Sequence, residues 1–415
     1  MTGRAHGPDL TADTLSAQTP TTMTRLRVAF VDHAREVGGG AEEALLDLLR
    51  FLDRDRFQPL LIVADRTDWL RGVSLAGVEV HRLFGEQAEV LGRSRKTLGD
   101  LRANVRSLAH SLGPISQVAR AIRRSRADIV HTNSLKTHVL GGVAARLCGR
   151  PLIWDVRDIL PPGPARRMLL AVARLTRPHV VAMSQAVADF LGPAGCPTTV
   201  VHGGRSPEHF VRCEPAPGLR EEPGLGPDDL VIVVVARLTT WKGHMVLLDA
   251  FRAIHREHPR ARLLIVGAPT FWETGYEAEL RERAEELGCG EAVRWLGFRE
   301  DIPELLALSD LMVLPSDTEP FGIAIVEAMI AGKPVVVCDT GGPREIVVEG
   351  GTGLVVPTWQ VGPLADAIDA LLSDPVRARR MGEAGRARAL EHFDIRQGVR
   401  RIEELYVRLV AARKR

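Results

Sequence analysis

Lysine is almost missing from this chain. Only Lys96, Lys136, Lys242, Lys333 and Lys414 occur, so nearly all of its 54 basic side chains are arginine, and a lysine inside a motif carries information. The five cysteines (Cys148, Cys196, Cys213, Cys289, Cys338) are odd in number, scattered, and mostly set inside apolar runs. They exclude a disulfide framework and read as buried free thiols of a reducing compartment. No His, Asp, Glu or Cys group has metal-ligand spacing, so no metal is expected. There is no run of 18 apolar residues, which leaves nothing to span a bilayer. The net charge of +2 excludes bulk attraction to nucleic acid. Residues 1–23, rich in Thr, Ala, Gly and Pro, lack the apolar core of a signal peptide. They are expected to be a disordered tail, and the chain to be cytoplasmic.

What is present is ordinary for a globular protein: 45% hydrophobic and 26% charged residues in a chain of 415, enough for two full cores. The first strand is expected at Leu26–Val31. Gly38, Gly39 and Gly40 follow, and then a helix with Leu45, Leu48, Leu49 and Leu52 on one face. Strand, glycine-rich loop and helix start let backbone amides approach a phosphate, although such loops also simply turn corners. No Gly-x-Gly-x-x-Gly occurs, which argues against a dinucleotide fold and a nicotinamide enzyme. Further strands are expected at 59–64, 78–83, 128–131, 151–156, 179–184 and 199–202. A second series lies at 230–235, 262–266, 293–296, 311–314, 334–338 and 353–356. Strands alternating with helices imply parallel sheets covered on both faces. Between the two series, residues 203–229 hold five prolines and show no periodicity, so the linker is set at 206–229. That divides the chain into a first domain at 24–205, a second at 230–390 and a terminal helix within 391–415.

Between Arg93 and Arg126 lie nine basic residues, Arg93, Arg95, Lys96, Arg102, Arg106, Arg120, Arg123, Arg124 and Arg126, against one acid, Asp100. The apolar spacing predicts two amphipathic helices. Either they are solvated surface helices, or they form a patch for anionic lipid headgroups at the inner membrane face. Nucleic acid is disfavoured because no aromatics interleave the charges.

The stretch that organises the chain runs from Pro315 to Pro334. An apolar strand end is followed by Glu319-Pro-Phe-Gly, with Pro320 expected to open a helix and Gly332 to close it. Glu319 stands at its entrance and Glu327 about two turns, roughly 12 Å, further on. That separation suits a ligand with two hydroxyl-rich ends joined by an anionic middle, which the free amides near Phe321, Gly322 and Ile323 would face. Earlier, Arg237 and Lys242 flank a strand-to-helix turn where a guanidinium and an ammonium can both reach a phosphate.

Glu-(seven residues)-Glu opening in Glu-Pro-Phe-Gly and closing in Glu-Ala-Met-x-x-Gly-x-Pro-Val resembles the retaining nucleotide-sugar glycosyltransferases of family 4, which include glycogen-synthase-like and cell-envelope enzymes. The Arg237-Leu…Lys242-Gly element, Leu264 to Gly267, Val293 to Gly297, Gly341-Gly342-Pro-Arg-Glu345 and Gly351 to Pro357 sit in the family's order. The resemblance implies two Rossmann-like domains facing a cleft, the glycosyltransferase B fold. It implies that Arg237 and Lys242 bind the donor diphosphate, that Glu319 holds the sugar near the amides of Phe321, Gly322 and Ile323, and that Glu327 accepts from the ribose. Gly39 and Gly40 would close on the phosphate from the first domain, and Gly267 belongs to the donor side. Transfer would retain configuration without a metal or cofactor, to a sugar, glycan or lipid-linked acceptor.

The chain departs from the family where a His-Asp pair is common: it reads Val156-Arg157-Asp158, so Arg157 substitutes or the role is absent. His131 matches a frequent acceptor-side family histidine and equally suits a structural one. Where Asn-Gly is usual, the chain has His202-Gly-Gly-Arg205, which leaves that hinge open. The competing reading is a nucleotide-sugar-binding or regulatory protein without turnover; intact Arg237, Lys242, Glu319 and Glu327 favour the enzyme.

Overall fold

Short runs of β-branched and other apolar residues, such as Leu230–Val235, form strands covered on both faces rather than helices. The computed structural model describes residues 25–32, 40–64, 77–83, 101–211, 213–269 and 273–414. The expected tail at 1–23, Gly38, Gly39, Arg93, Arg95 and Lys96 lie outside the described residues.

The first sheet contains β1 (Leu26–Val31), β2 (Phe57–Ala64), β3 (Glu79–Leu83), β4 (Ile129–Thr132), β5 (Leu152–Val156), β6 (His179–Ala182) and β7 (Thr198–Val200). The second contains β8 (Leu230–Val235), β9 (Ala261–Val266), β10 (Val293–Gly297), β11 (Leu311–Leu314), β12 (Val335–Cys338) and β13 (Gly353–Val356). All pairings are parallel. The orders are β3-β2-β1-β4-β5-β6-β7 and β10-β9-β8-β11-β12-β13, so each sheet reverses its winding once, at β1/β4 and at β8/β11. At such a reversal the connections leave on opposite faces and open a crevice beyond the strands' carboxyl ends. Two Rossmann-like domains result, as the family resemblance implied, with the parallel sheets that the alternating pattern implied.

Alternate residues of one strand serve different cores. In β1, Val28 and Phe30 pack with the helix Gly40–Phe51, while Ala29 and Val31 face the opposite layer. The terminal helix, Ile395–Lys414, crosses back to the first sheet: Ile395, Val399, Ile402, Leu405 and Tyr406 pack on Val28, Phe30 and Leu45. Glu403 fastens it by accepting the Asp53 amide at 2.7 Å. The stretch expected to be a linker is partly packed as well, with Phe210, Leu219 and Leu225 in the core.

Two local expectations are corrected. The basic stretch forms one helix, Leu101–Arg124, that runs through Pro114. A proline inside a helix removes one backbone bond, but burial of Val118 and Ile122 beyond it holds the helix to the sheet. Among the thiols only Cys289 and Cys338 are buried; Cys148, Cys196 and Cys213 are partly accessible, and all five are free. Among the described residues no helix is long and apolar enough to cross a membrane.

Tyr406 is fully buried among Phe30, Phe57 and His131. Tyr406→Ala removes a large aromatic from this seam and should cost about 3–5 kcal/mol in denaturant unfolding. Tyr406→Phe, which loses only the hydroxyl, should cost about 1 kcal/mol.

Candidate functional site

The loops beyond β8 and β11 leave from the reversal point of the second sheet. After β8 the chain exposes Arg237, makes a short 3₁₀ turn at Thr240–Lys242, and enters the helix His244–Glu257. After β11 it runs through 315–322 into the helix Ile323–Ile330. This corrects the expected helix start at Pro320. Gly322 has φ +102°, a conformation open to glycine and costly for other residues, and it turns the chain once more before the helix begins. Gly341 and Gly342 are needed for a different reason: a Cβ on either would collide with the backbone of Glu319 to Phe321. The glycine pair therefore lets the β12 loop lie directly against the β11 loop.

This packing sets Glu319 beside Lys242, with Nζ 2.5 Å from Oε2. The side chains are only 12% and 7% exposed, so neither charge is well solvated and each depends on the other. Lys242 also lies over the Trp241 ring, 4.1 Å from its centroid. Among the described residues, the amides of Phe321, Gly322 and Ile323 donate no backbone hydrogen bond. An ammonium, a buried carboxylate and free amides at a helix start thus meet, with Arg237 exposed on the loop that carries Lys242. Such a group can hold a phosphate and orient a polyol.

Glu327 lies on the buried face of its helix, where Arg205 Nε meets its Oε1 at 2.6 Å. Arg205 also reaches Asp47 Oδ2 at 3.4 Å and Glu43, both on the helix Gly40–Phe51 of the first domain. Burial pushes the Glu327 carboxyl up, and Arg205 opposes that shift.

The same loops are fastened to the first domain. Ser184 Oγ donates to the Pro320 carbonyl at 2.5 Å. Glu345 accepts from the Gln185 and Ala186 amides at 2.9 and 3.2 Å and lies 2.9 Å from His202 Nε2. Burial alone would raise the Glu345 pKa; these donors hold it below the usual carboxylate value. Phe321 is fully buried against His202 and Phe393.

From the first sheet, Arg157 follows β5 and binds Asp155 at 2.7 Å. His131 stands behind that pair with no exposed surface, 3.5 Å from Asp155 Oδ2 and 2.8 Å from the Tyr406 hydroxyl. The structure brings Arg157, 12% exposed, to the cleft edge and leaves His131 beneath it. Burial would raise Asp155, but the Arg157 guanidinium and the His131 ring beside it bring it to about 2. Glu42 behaves oppositely. Burial lifts it to about 7, opposed by its own amide and by the charge of Arg237 and reinforced by Asp32 and Asp158. Those charges follow β1, β5 and β8, so the carboxyl edges of the two sheets face each other across Glu42.

Of the residues singled out in the sequence, Lys242, Glu319, Phe321, Gly322 and Ile323 share one cluster, with Arg237 and Gly267 on neighbouring loops beyond β8 and β9. Glu327 sits at the domain seam, and Gly40 is the exposed first residue of its helix. Gly39 is outside the described residues. Sequence reasoning gave no role to Arg205, Glu43, Asp47, Asp155, Ser184 or Glu345. The signals were the His-Gly-Gly-Arg departure at 202–205 and the family-matched run that ends in Glu345. Among the described residues no group of three or more His, Cys, Asp or Glu could hold a metal ion.

Fold and site together define a protein of two Rossmann-like domains whose facing sheet edges gather charged side chains and free amides. The family model for glycosyl transferases group 1 matches residues 217–388, and that for glycosyltransferase family 4 matches residues 38–209. The chain belongs to the family 4 glycosyltransferases of the glycosyltransferase B fold. Over 400 residues it is 28% identical to alpha-maltose-1-phosphate synthase of Mycobacterium tuberculosis, covering 89% of this chain and 95% of that protein. Over 196 residues it is 37% identical to a GDP-mannose-dependent alpha-(1-6)-phosphatidylinositol monomannoside mannosyltransferase of Mycolicibacterium smegmatis, covering 45% of this chain. The chain spans about half the length of that relative, 50%. Among solved structures, Anabaena HepE in complex with UDP and glucose has a TM-score of 0.76 at 28% identity, covering 92% of this chain and 99% of that one.

The raised Glu42 pKa has a testable consequence. Between pH 4.5 and about 7 the folded protein keeps a proton that the unfolded chain has released, so ionisation above that window costs stability. Glu42→Gln removes the cost. The variant should be more stable than the parent above pH 7, by up to about 3 kcal/mol, with the gain shrinking as pH falls from about 7 and gone below 4.5. Chemical denaturation at pH 5, 7 and 8.5 checks this.

Proposed function

We propose that this chain is a hexosyltransferase that moves a sugar from a nucleoside-diphosphate sugar to an acceptor hydroxyl with retention at the anomeric carbon. The observation that carries this is the Lys242–Glu319 pair beside the free amides at 321–323. The donor diphosphate would take the ammonium of Lys242 and the guanidinium of Arg237, while Glu319 turns to the sugar hydroxyls and Glu327 to the ribose. Anabaena HepE was solved with UDP and glucose, which supports a nucleoside diphosphate as the leaving group here.

The bond from the anomeric carbon to the phosphate oxygen breaks as charge builds on the diphosphate. Fixed cations and amides stabilise that charge without reorganising, so no metal or cofactor is required in this reading. The acceptor oxygen attacks from the same face, and its proton passes to the departing phosphate. Arg157, held by Asp155 and backed by His131, stands on the first-domain side, where the acceptor would approach. Gly39 and Gly40 would close on the phosphate from the same side.

The acceptor is read as a sugar, glycan or lipid-linked substrate met at a cytoplasmic, anionic membrane face. Arg120, Arg123, Arg124 and Arg126 are exposed. The neighbouring helices Leu101–Arg124, Leu135–Leu147 and Pro164–Thr176 contain no acidic residue.

Arg237 is exposed and makes no ion pair among the described residues, so Arg237→Ala tests the chemistry without disturbing the fold. Turnover should fall about 100-fold, roughly 3 kcal/mol, with the melting temperature unchanged and wild-type activity resistant to EDTA. Near-normal transfer by this variant and by Lys242→Ala, both folded, would remove the phosphate clamp. At the membrane, vesicles with acidic lipid should bind the protein at low salt and release it at high salt. Binding should weaken when Arg120, Arg123 and Arg124 become Gln; indifference to acidic vesicles at low salt would point to a soluble acceptor.

A further inference from the structure

Arg205 takes no part in the chemistry above, yet both domains converge on it. Its amide donates to the Phe393 carbonyl at 3.0 Å and its carbonyl accepts the Ile395 amide at 3.3 Å, so its backbone is tied where the last helix begins. Its side chain is 16% exposed and meets Glu327 from the second domain and Glu43 and Asp47 from the first. One guanidinium therefore answers three carboxylates. Its Nε bonds only Oε1 of Glu327, and Oε2 takes no hydrogen bond among the described residues.

A buried, unpaired Glu327 would be driven toward its neutral form and would rotate freely. The planar guanidinium prevents both, because its fork has a fixed geometry and a permanent charge. We propose that Arg205 is a positioning residue for the donor ribose: it keeps Glu327 ionised and turned so that Oε2 accepts the ribose hydroxyls, while Glu43 and Asp47 hold the guanidinium from the opposite domain. This rests on the reading of Glu327 as the ribose acceptor. The same three bonds couple ribose recognition to the approach of the two domains.

The test measures binding of UDP, GDP and ADP by calorimetry, then of the 2′,3′-dideoxy form of the tightest one. The wild type should bind the dideoxy nucleotide about tenfold more weakly. Arg205→Ala should bind the full nucleotide about tenfold more weakly and lose less than about twofold more when the diol is removed. Arg205→Lys, with charge but no fork, should fall between them. A general loss of packing would weaken both nucleotides equally and leave the ratio intact. Should Arg205→Ala not fold, Arg205→Lys and Glu43→Gln/Asp47→Asn carry the test through the same ratio. Wild-type discrimination in the folded variants overturns the role of Arg205. A wild type that binds a nucleotide without preferring the diol overturns the role of Glu327, and one that binds none of the three overturns the donor reading itself; either result removes this proposal too.

Discussion

The loop from β11 to the helix Ile323–Ile330 is gripped from both sides, and the geometry of the cleft depends on that grip. On one side Ser184 holds the Pro320 carbonyl and Phe321 is buried against His202 and Phe393. On the other, Glu319 pairs with Lys242 across the reversal point of the second sheet. Gly341 and Gly342 press in from the β12 loop, where no larger residue fits. The loop therefore has little freedom to rotate its amides away from the site, which is the preorganisation that charge stabilisation needs.

Charge is distributed unevenly along the seam between the domains. Glu42, Glu43, Asp47, Asp155 and Glu327 crowd one region, and Arg205 and Arg157 answer them in part. The carboxyls sort by partner. Asp155, with a guanidinium and an imidazole beside it, drops to about 2; burial lifts Glu42 to about 7, and the nearby Asp32 and Asp158 add to the rise. Asp155 is the more deeply buried of the two, so its lower value comes from its partners.

The strands, their parallel pairing and the two-domain division were legible because each buried strand is a short apolar run between helices with a clear stripe. Lys242, Glu319 and their surrounding loops were legible through local spacing and family resemblance. What escaped was contact between distant residues. Nothing local in Ile395–Lys414 says that Tyr406 will bond His131, 275 residues away. Pro320 looked like a helix start because proline is favoured there, but the positive φ at Gly322 postpones the helix. Arg205 stood in a recognised departure, yet its role depends on carboxylates at positions 43, 47 and 327 that only the fold brings together.

The central claim is that the cleft holds a nucleoside-diphosphate sugar between Lys242, Arg237 and Glu319. A thermal-shift panel of nucleoside diphosphates and their sugars tests it most directly, because a ligand bound only by the folded state raises the melting temperature by mass action. One nucleotide sugar should stand out on the wild type, and its shift should vanish on Lys242→Ala and Arg237→Ala. A panel without any shift, or a shift that both variants keep in full, would contradict the account.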